Sequence, residues 1–387
     1  MHARLAHRTI REAKVQAFHR PLLGPAGRGF RGGLVLDDQD ESLRHRRYNE
    51  PQDRHDDRAV YHHRLDGAYI YGGPMYDHFG HFMAEMVHRI VPSRLMCDAV
   101  PCVYATLGRH QVLTSFETLP VYARDVLQLL GIGADDFRLV VENTVVEQLF
   151  VSEQGSELGV GPKPGYLDDL LEYTTPRLDA LHGGDARPGK VYVSRAGLPG
   201  GKFLGERYLE AQLAAEGFSI VQPETLPITV QMDIYRKADV LVFAEGSACH
   251  GVELLGTGSL GRCALLVRRT GHTGRFKEIL RPRAAAFAAS EGHPFIGTRF
   301  TDTRTNAPVV RFGVNLFNTA ALLAFFRSHG MAKLPTFDAT EYFAAAEQDL
   351  VQYQAEGNAP RGWRWDETES ADAMLDTFRA ARSAMAT

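Results

Sequence analysis

Residues 190–269 constrain the fold of this chain most strongly, because short apolar runs alternate there with segments of helical spacing. The apolar runs predict strands at 190–195, 218–221, 240–243 and 263–267. The intervening segments predict helices at 206–216, 225–238 and 247–255. Strands joined by helical crossovers form a parallel sheet with right-handed connections. The stretch therefore predicts a Rossmann-like α/β domain.

Polar residues gather where the predicted strands end, which is where sheets of this class bind ligands. They are Ser194, Arg195, Glu224, Glu245, Gly246, Ser247, Arg268 and Arg269. Arg195 offers a planar group of five donors that suits a diphosphate, and a helix start at Gly246 and Ser247 offers backbone N–H groups. Glu245 would repel phosphate, so we expect it to bind sugar hydroxyls or to act as a base. The alternative for each of these side chains is an ordinary surface position.

A second cluster lies at residues 75–90, which we interpret as one helix. Asp77, His81, Glu85 and His88 would then fall within roughly 80° of one another around the helix axis. A solvent-facing surface is one interpretation. A metal site is another, although the Glu85-x-x-His88 pair lacks the second such pair that di-iron bundles use. The third is acid–base chemistry or hydroxyl recognition, for which imidazole is suited.

The first half of the chain predicts a second α/β unit, with strands at 68–71, 102–105, 137–141 and 144–151 and helices at 119–130 and 166–181. The glycine-rich run 182–189 predicts a linker. We therefore predict an N-terminal α/β domain at 1–185, a Rossmann-like ligand-binding domain at 186–335 and C-terminal helices at 336–387 that pack back on the two domains. The polar run 37–58 predicts a solvated loop, and the glycines and prolines of 270–298 predict further loops.

Composition and motifs exclude several classes of protein. The net charge of −4 gives no basic field that would hold nucleic acid. The glycine run 256–261 matches a dinucleotide fingerprint, but it follows a helix and precedes a strand, which is the reverse of an NAD site. The four cysteines form no CxxC pair. No apolar run is long enough to span a membrane, so we expect a cytoplasmic protein, with peripheral attachment to the membrane left open.

Two motifs in order resemble a known family. The first is Gly80-His-Phe-Met-Ala-Glu85 with Arg89, and the second runs from the Ser194-Arg195 pair through Pro223-Glu224 and Gln231 to residues 244–250. Together they resemble the bacterial branch of glycosyltransferase family 61, which is related to capsular polysaccharide biosynthesis proteins. The chain departs from that pattern at 245–250, where many relatives carry a His-Gly pair.

The resemblance implies a GT-B arrangement of two Rossmann-like domains facing across a cleft, an inverting transfer, and neither a required metal nor a cofactor. The donor would be a nucleotide-diphosphate sugar, and the acceptor a saccharide or lipid-linked glycan. We predict donor binding by Ser194, Arg195, Lys202, Glu224, Glu245, Gly246, Ser247 and His250. We predict acceptor binding by His78, Glu85 and His88, with His81, then Asp77, then Glu245 as the base.

Two other functions remain open at this point. One is a non-catalytic module that binds nucleotide or glycan. The other is a metal-dependent hydrolase that uses His78, His81, Glu85 and His88.

Overall fold

The computed structural model describes residues 5–18, 30–75, 77–97, 100–106, 113–183, 189–269, 273–355, 363–365 and 369–386. The strands within these residues are β1 His7–Gln16, β2 Phe30–Arg31, β3 Gly33–Leu34, β4 Arg46–Arg47, β5 Glu50–Pro51, β6 Asp53–Arg54, β7 His63–Met75, β8 Cys102–Thr106, β9 Phe137–Val140, β10 Thr144–Ser152, β11 Ser156–Glu157, β12 Gly161–Pro162, β13 Lys190–Val193, β14 Phe203–Leu204, β15 Phe218–Val221, β16 Val240–Ala244, β17 Leu260–Leu266, β18 Ala284–Ser290, β19 Phe295–Gly297, β20 Phe300–Asp302, β21 Val314–Leu316 and β22 Trp363–Trp365.

The α-helices are α1 Phe79–His81, α2 Ile90–Arg94, α3 Val121–Leu129, α4 Tyr166–His182, α5 Glu206–Ala215, α6 Ile228–Lys237, α7 Thr273–Leu280, α8 Thr319–Ser328, α9 Ala339–Ala355 and α10 Glu369–Ala386. A π-helical segment covers Phe82–Met86, and short 3-10 helices cover Asp38–Leu43, Pro223–Thr225, Ser247–Val252, Arg281–Arg283 and Val310–Phe312. None of the described helices is both long and apolar enough to cross a membrane.

The N-terminal half is built on a mixed sheet in the order β3-β1-β10-β7-β8-β9. Strands β10, β7, β8 and β9 are parallel, and β1 joins β10 in the antiparallel direction. The sequence did not predict β1. Before its short pairing with β3, this strand has no neighbour among the described strands on that side, and its basic residues stay exposed. Its alternation of charge and apolar residues is therefore that of an edge strand.

The second half is built on a fully parallel sheet in the order β15-β13-β16-β17-β18. Leu241 and Phe243 of β16 pack into a core shared with the first half, while Val240 and Val242 pack into a second core beneath the C-terminal helices. Both faces are covered, which explains the continuous apolar run. The predicted parallel α/β sheet is confirmed in this half.

The two halves share one apolar core rather than meeting only through the chain connection. Helices α3 and α4 of the first half contact α6 of the second. Helix α9 packs on α5, and α10 contacts α9 and β19. This packing sets α1 and α3 opposite the carboxyl ends of the second sheet.

Three predicted segments differ from the structure in their helical winding. The helix expected at 75–90 is broken into α1, the π segment and α2, and the wider winding shifts later residues around the axis. Helix α6 begins at Ile228, because the Thr225 hydroxyl donates to the Gln222 carbonyl at 2.8 Å in a preceding turn. In place of the helix expected at 247–255, the structure has the tighter 3-10 helix Ser247–Val252. Gly251 of this helix packs closely on Tyr235, since a Cβ at Gly251 would lie 2.9 Å from the Tyr235 ring.

The two loop predictions, which were based on polar and glycine-rich composition, are wrong. Residues 37–58 contain a 3-10 helix and short strands, and His45, Gln52 and Asp53 are buried through mutual hydrogen bonds that hydropathy does not register. Residues 270–298 contain α7 and β18, an alanine-rich strand. The linker expected at 182–189 includes residues 184–188, which lie outside the described residues. The predicted domain boundaries stay predictions.

Gly72 lies near the end of β7, the strand before α1, and a Cβ at this position would collide with the Tyr104 ring. We expect Gly72→Ala to lower the free energy of unfolding by about 1–3 kcal/mol, because the packed core must shift to admit a methyl group. Gly133→Ala is the matched control, since nothing lies within 4 Å of a Cβ at that position. Urea denaturation of both variants measures the difference, and equal stabilities would contradict this packing.

Candidate active site

A cleft of about 480 Å³ opens between the two halves, within the usual size of small-molecule sites. One wall is the carboxyl ends of β13, β15 and β16, and the other is α1 and α3. Its lining residues are Phe79, Val121, Tyr122, Asp125, Ser194, Arg195, Leu198, Pro223, Glu224, Thr225, Leu226, Pro227, Ile228, Gln231, Ser247 and Ala248. In a sheet of this order, β13 and β16 flank the switch point where such sheets bind ligands.

Arg195 is the main cation in the wall of this cleft. Its Nε donates to the Gly201 carbonyl at 2.8 Å, and its guanidinium lies over Gly246, where a Cβ would overlap it. Burial lowers the pKa of Arg195. In the described part of the chain no carboxylate lies within ion-pair distance of Arg195, although Glu206 and Glu245 contribute to its field.

Arg268 reinforces this positive charge. Atoms Nη2 of Arg195 and Nη2 of Arg268 would lie 3.4 and 3.5 Å from a Cβ at Gly201, so the two guanidinium groups are close. Burial, and then the charge of Arg195, lower the pKa of Arg268 to about 9. Two neighbouring cations that form no carboxylate ion pair within the described part of the chain favour an anionic ligand.

Glu245 is engaged in holding the end of the sheet. Its Oε2 accepts from the backbone N–H groups of Arg268 and Arg269 at 2.7 Å each, and its Oε1 accepts from Arg269 Nε at 2.6 Å. The carboxylate is fully buried. Because both oxygens are occupied by neighbouring donors, Glu245 fixes the strand ends and is poorly placed to accept a substrate proton.

Glu206, which the sequence did not single out, lies beneath Arg195. Its Oε1 accepts from Arg195 N at 2.8 Å and from Tyr192 Oη at 2.9 Å, and it lies 3.4 Å from Ser194 Oγ. Ser194 donates a further hydrogen bond to Glu210. Burial raises the pKa of Glu206 to about 7. A glutamate in the first turn of a helix is normally explained by its favourable interaction with the helix dipole. The sequence pattern therefore gave no reason to predict Glu206 as a site residue.

His81 is oriented by a buried carboxylate. Glu85 accepts hydrogen bonds from His81 Nδ1, Arg47 Nε and, at 3.1 Å, His45 Nε2. Burial alone would raise the pKa of Glu85, but Arg47 and the two histidines hold it well below its usual range. Glu85 is therefore an anion, and the His81 side chain above it remains 37% exposed.

His250 forms a similar pair in the second half. Its Nδ1 lies 3.1 Å from Glu253 Oε1, and Glu253 is buried beside Arg283. A Cβ at Gly80 would lie 3.6 Å from His250 Nε2 and 3.5 Å from His78 Cε1. His250 of the second half and His78 of the first thus lie on either side of Gly80.

The other predicted site residues occupy different surroundings. His88 is buried, with Nδ1 3.0 Å from Tyr166 Oη, and burial lowers its pKa to about 4. The π segment therefore turns His88 away from the exposed surface that carries His81. Asp77 and His78 are exposed ahead of α1.

The remaining predicted donor residues lie nearer the second sheet. Glu224 and Ser247 line the cleft, whereas Lys202 is buried in the loop before β14. Within the residues described, no group of three or more His, Cys, Asp or Glu side chains is arranged to hold a metal ion.

The segment with both cleft walls matches a known protein family. The family model described as Glycosyltransferase 61 covers residues 79–258, from Phe79 of α1 past Glu253. Residues 79–258 belong to glycosyltransferase family 61. The match confirms the resemblance to glycosyltransferase family 61 and supports a glycosyltransferase role. No curated protein shows significant similarity to the chain.

The family 61 region contains His81, Glu85, Arg195 and His250. It excludes Arg47, which holds Glu85 anionic, and Arg268, which lies beside Arg195. Arg47 comes before this region in the sequence and Arg268 comes after it. They complete the charged groups around Glu85 and Arg195.

Glu206 should make stability depend on pH. Its pKa rises from an ordinary 4.5 to about 7 on folding, so its stabilising contribution is full below about pH 4.5 and is lost as the pH rises through 7. We expect the wild-type free energy of unfolding to fall between about pH 5 and pH 8. It should fall by at most about 3 kcal/mol more than the free energy of unfolding of Glu206→Gln does. Chemical denaturation at each pH measures this.

The matched control is Glu172→Gln, which changes an exposed glutamate on α4. It should follow the wild-type pH dependence. A wild-type curve that runs parallel to the Glu206→Gln curve over this range would contradict the assignment.

Proposed function

We propose that the chain is an inverting glycosyltransferase that moves a sugar from a nucleotide-diphosphate donor to a saccharide or lipid-linked glycan acceptor. The observation that carries the proposal is Arg195, an arginine without a carboxylate ion pair among the described residues, in a cleft at the carboxyl ends of a parallel sheet. Two α/β halves on either side of that cleft are consistent with a GT-B arrangement. Synthesis of a surface polysaccharide or glycan at the cytoplasmic face of a membrane belongs to the same proposal.

The donor diphosphate would bind on the second-sheet side of the cleft. Arg195 and Ser247 line this side, and Arg268 lies behind Arg195. Guanidinium groups bind phosphate oxygens in a bidentate manner. They would also stabilise the negative charge that develops on the departing nucleotide, which is why we propose a transfer that does not require a metal.

His81 is our proposed base, because Glu85 holds its Nδ1 side and the ring is still 37% exposed. With the Nδ1 proton bound to Glu85, Nε2 carries the lone pair that takes the proton of the acceptor hydroxyl. The acceptor oxygen bonds to the anomeric carbon as the bond to the diphosphate breaks, which inverts the configuration. The anionic Glu85 then stabilises the imidazolium that forms, in the same way as a triad carboxylate.

We expect His81→Ala to lower transfer about 10²–10⁴-fold while leaving donor affinity unchanged, because the base acts only as the acceptor hydroxyl loses its proton. The assay is nucleotide release from UDP-, GDP- and dTDP-sugars in the presence of EDTA, with donor affinity measured by calorimetry. His62→Ala is the control, since His62 is exposed and is not part of the His81–Glu85 pair.

Turnover of His81→Ala within a few fold of wild type would remove His81 as the base and leave Asp77 as the next candidate. Binding of a nucleotide sugar by wild type with no release of nucleotide would instead favour the non-catalytic binding module.

A further inference from the structure

We propose that Tyr122 and Asp125 of helix α3 bind the hydroxyl groups of a sugar ring in the cleft and help to select that sugar. The inference rests on the proposed function and deepens it, since it assigns a role to the wall opposite the arginines. The two residues are three positions apart, so they share one face of α3. Both line the cleft, as Arg195 does from the other half.

The Tyr122 hydroxyl is enclosed but unsatisfied. Its Oη is buried and has no hydrogen-bond partner among the described residues. A buried hydroxyl without a partner is unfavourable, so a ligand group that pairs with it gains affinity. Burial, and then the charge of Asp77, raise the pKa of Tyr122, so the hydroxyl remains a neutral donor.

Asp125 supplies the complementary acceptor. Across the described ranges, no side chain or backbone group donates a hydrogen bond to its carboxylate, which lines the cleft one helical turn after Tyr122. Burial raises the pKa of Asp125. A carboxylate repels phosphate and accepts hydrogen bonds from neutral hydroxyls, so this wall suits a different part of the ligand from the Arg195 wall.

An aromatic surface lies beside these polar groups. The Phe79 and Tyr122 rings are perpendicular, with centroids 5.2 Å apart, and Phe79 also lines the cleft. Ring edges and faces offer an apolar surface to the C–H groups of a sugar, while Tyr122 Oη and Asp125 meet its hydroxyls. This combination of apolar surface and neutral hydrogen-bonding groups favours a sugar ring over a phosphate or an alkyl chain.

The sugar ring has three sources: the donor ribose, the transferred sugar and the acceptor. Tyr122→Phe and Asp125→Asn separate them. Calorimetry in EDTA would compare free UDP, GDP and dTDP with the corresponding nucleotide sugars, and a printed glycan array would test the acceptor. Asp135→Asn is the matched control, because Asp135 is exposed outside the cleft. Urea denaturation checks that each variant is folded.

We expect each cleft variant to lose about tenfold in affinity for one class of probe, as removal of a hydrogen bond involving a buried or charged group does. Loss for free nucleotides and nucleotide sugars alike assigns the ribose, loss for nucleotide sugars alone assigns the transferred sugar, and loss for glycans alone assigns the acceptor.

Unchanged affinity of both variants for every probe that wild type binds would overturn the inference. Failure of wild type to bind any nucleotide sugar would overturn the proposed donor, and the glycan array would still decide the roles of Tyr122 and Asp125. Absence of wild-type binding to both panels would overturn both proposals.

Discussion

The site depends on the positive charge of Arg195, which no carboxylate among the described residues pairs with. Arg195 is held by the Gly201 carbonyl, and its main chain is held by Glu206, so its direction is fixed although none of the described carboxylates forms an ion pair with it. Gly246 leaves room for the guanidinium in this position, because a Cβ would occupy the same space. A cation placed this way is well suited to bind an anionic ligand.

The opposite half depends on a buried charge of the other sign, and there the protein itself supplies the compensating charge. Glu85 is a buried anion, balanced by Arg47 from a segment that lies well before it in the chain. That arrangement fixes the direction of the His81 ring. The segment helps to position a candidate site residue without any motif of its own, since Arg47 compensates the buried charge of Glu85.

The parallel sheet of the second half was predictable because its strands are covered on both faces, as the burial of Leu241 and Val242 in opposite cores illustrates. The position of Arg195 at the carboxyl end of the sheet was predictable for the same reason, because it follows such a strand. His88 was not, because the π winding at Phe82–Met86 leaves no mark in the apolar spacing. Glu206 and Tyr122 were missed because burial and an absent partner are properties of packing, which a local pattern does not contain.

The central claim is that Arg195 anchors a nucleotide-diphosphate donor without a metal. The most direct measurement is the melting temperature of the purified protein with UDP-, GDP- and dTDP-sugars in EDTA, for wild type, Arg195→Ala and the control Arg207→Ala, which alters an exposed arginine on α5. A ligand that binds only the native state must raise the melting temperature. The account predicts a rise with one nucleotide class, lost in Arg195→Ala and kept in Arg207→Ala. No rise with any donor, or an equal rise in Arg195→Ala, would contradict it.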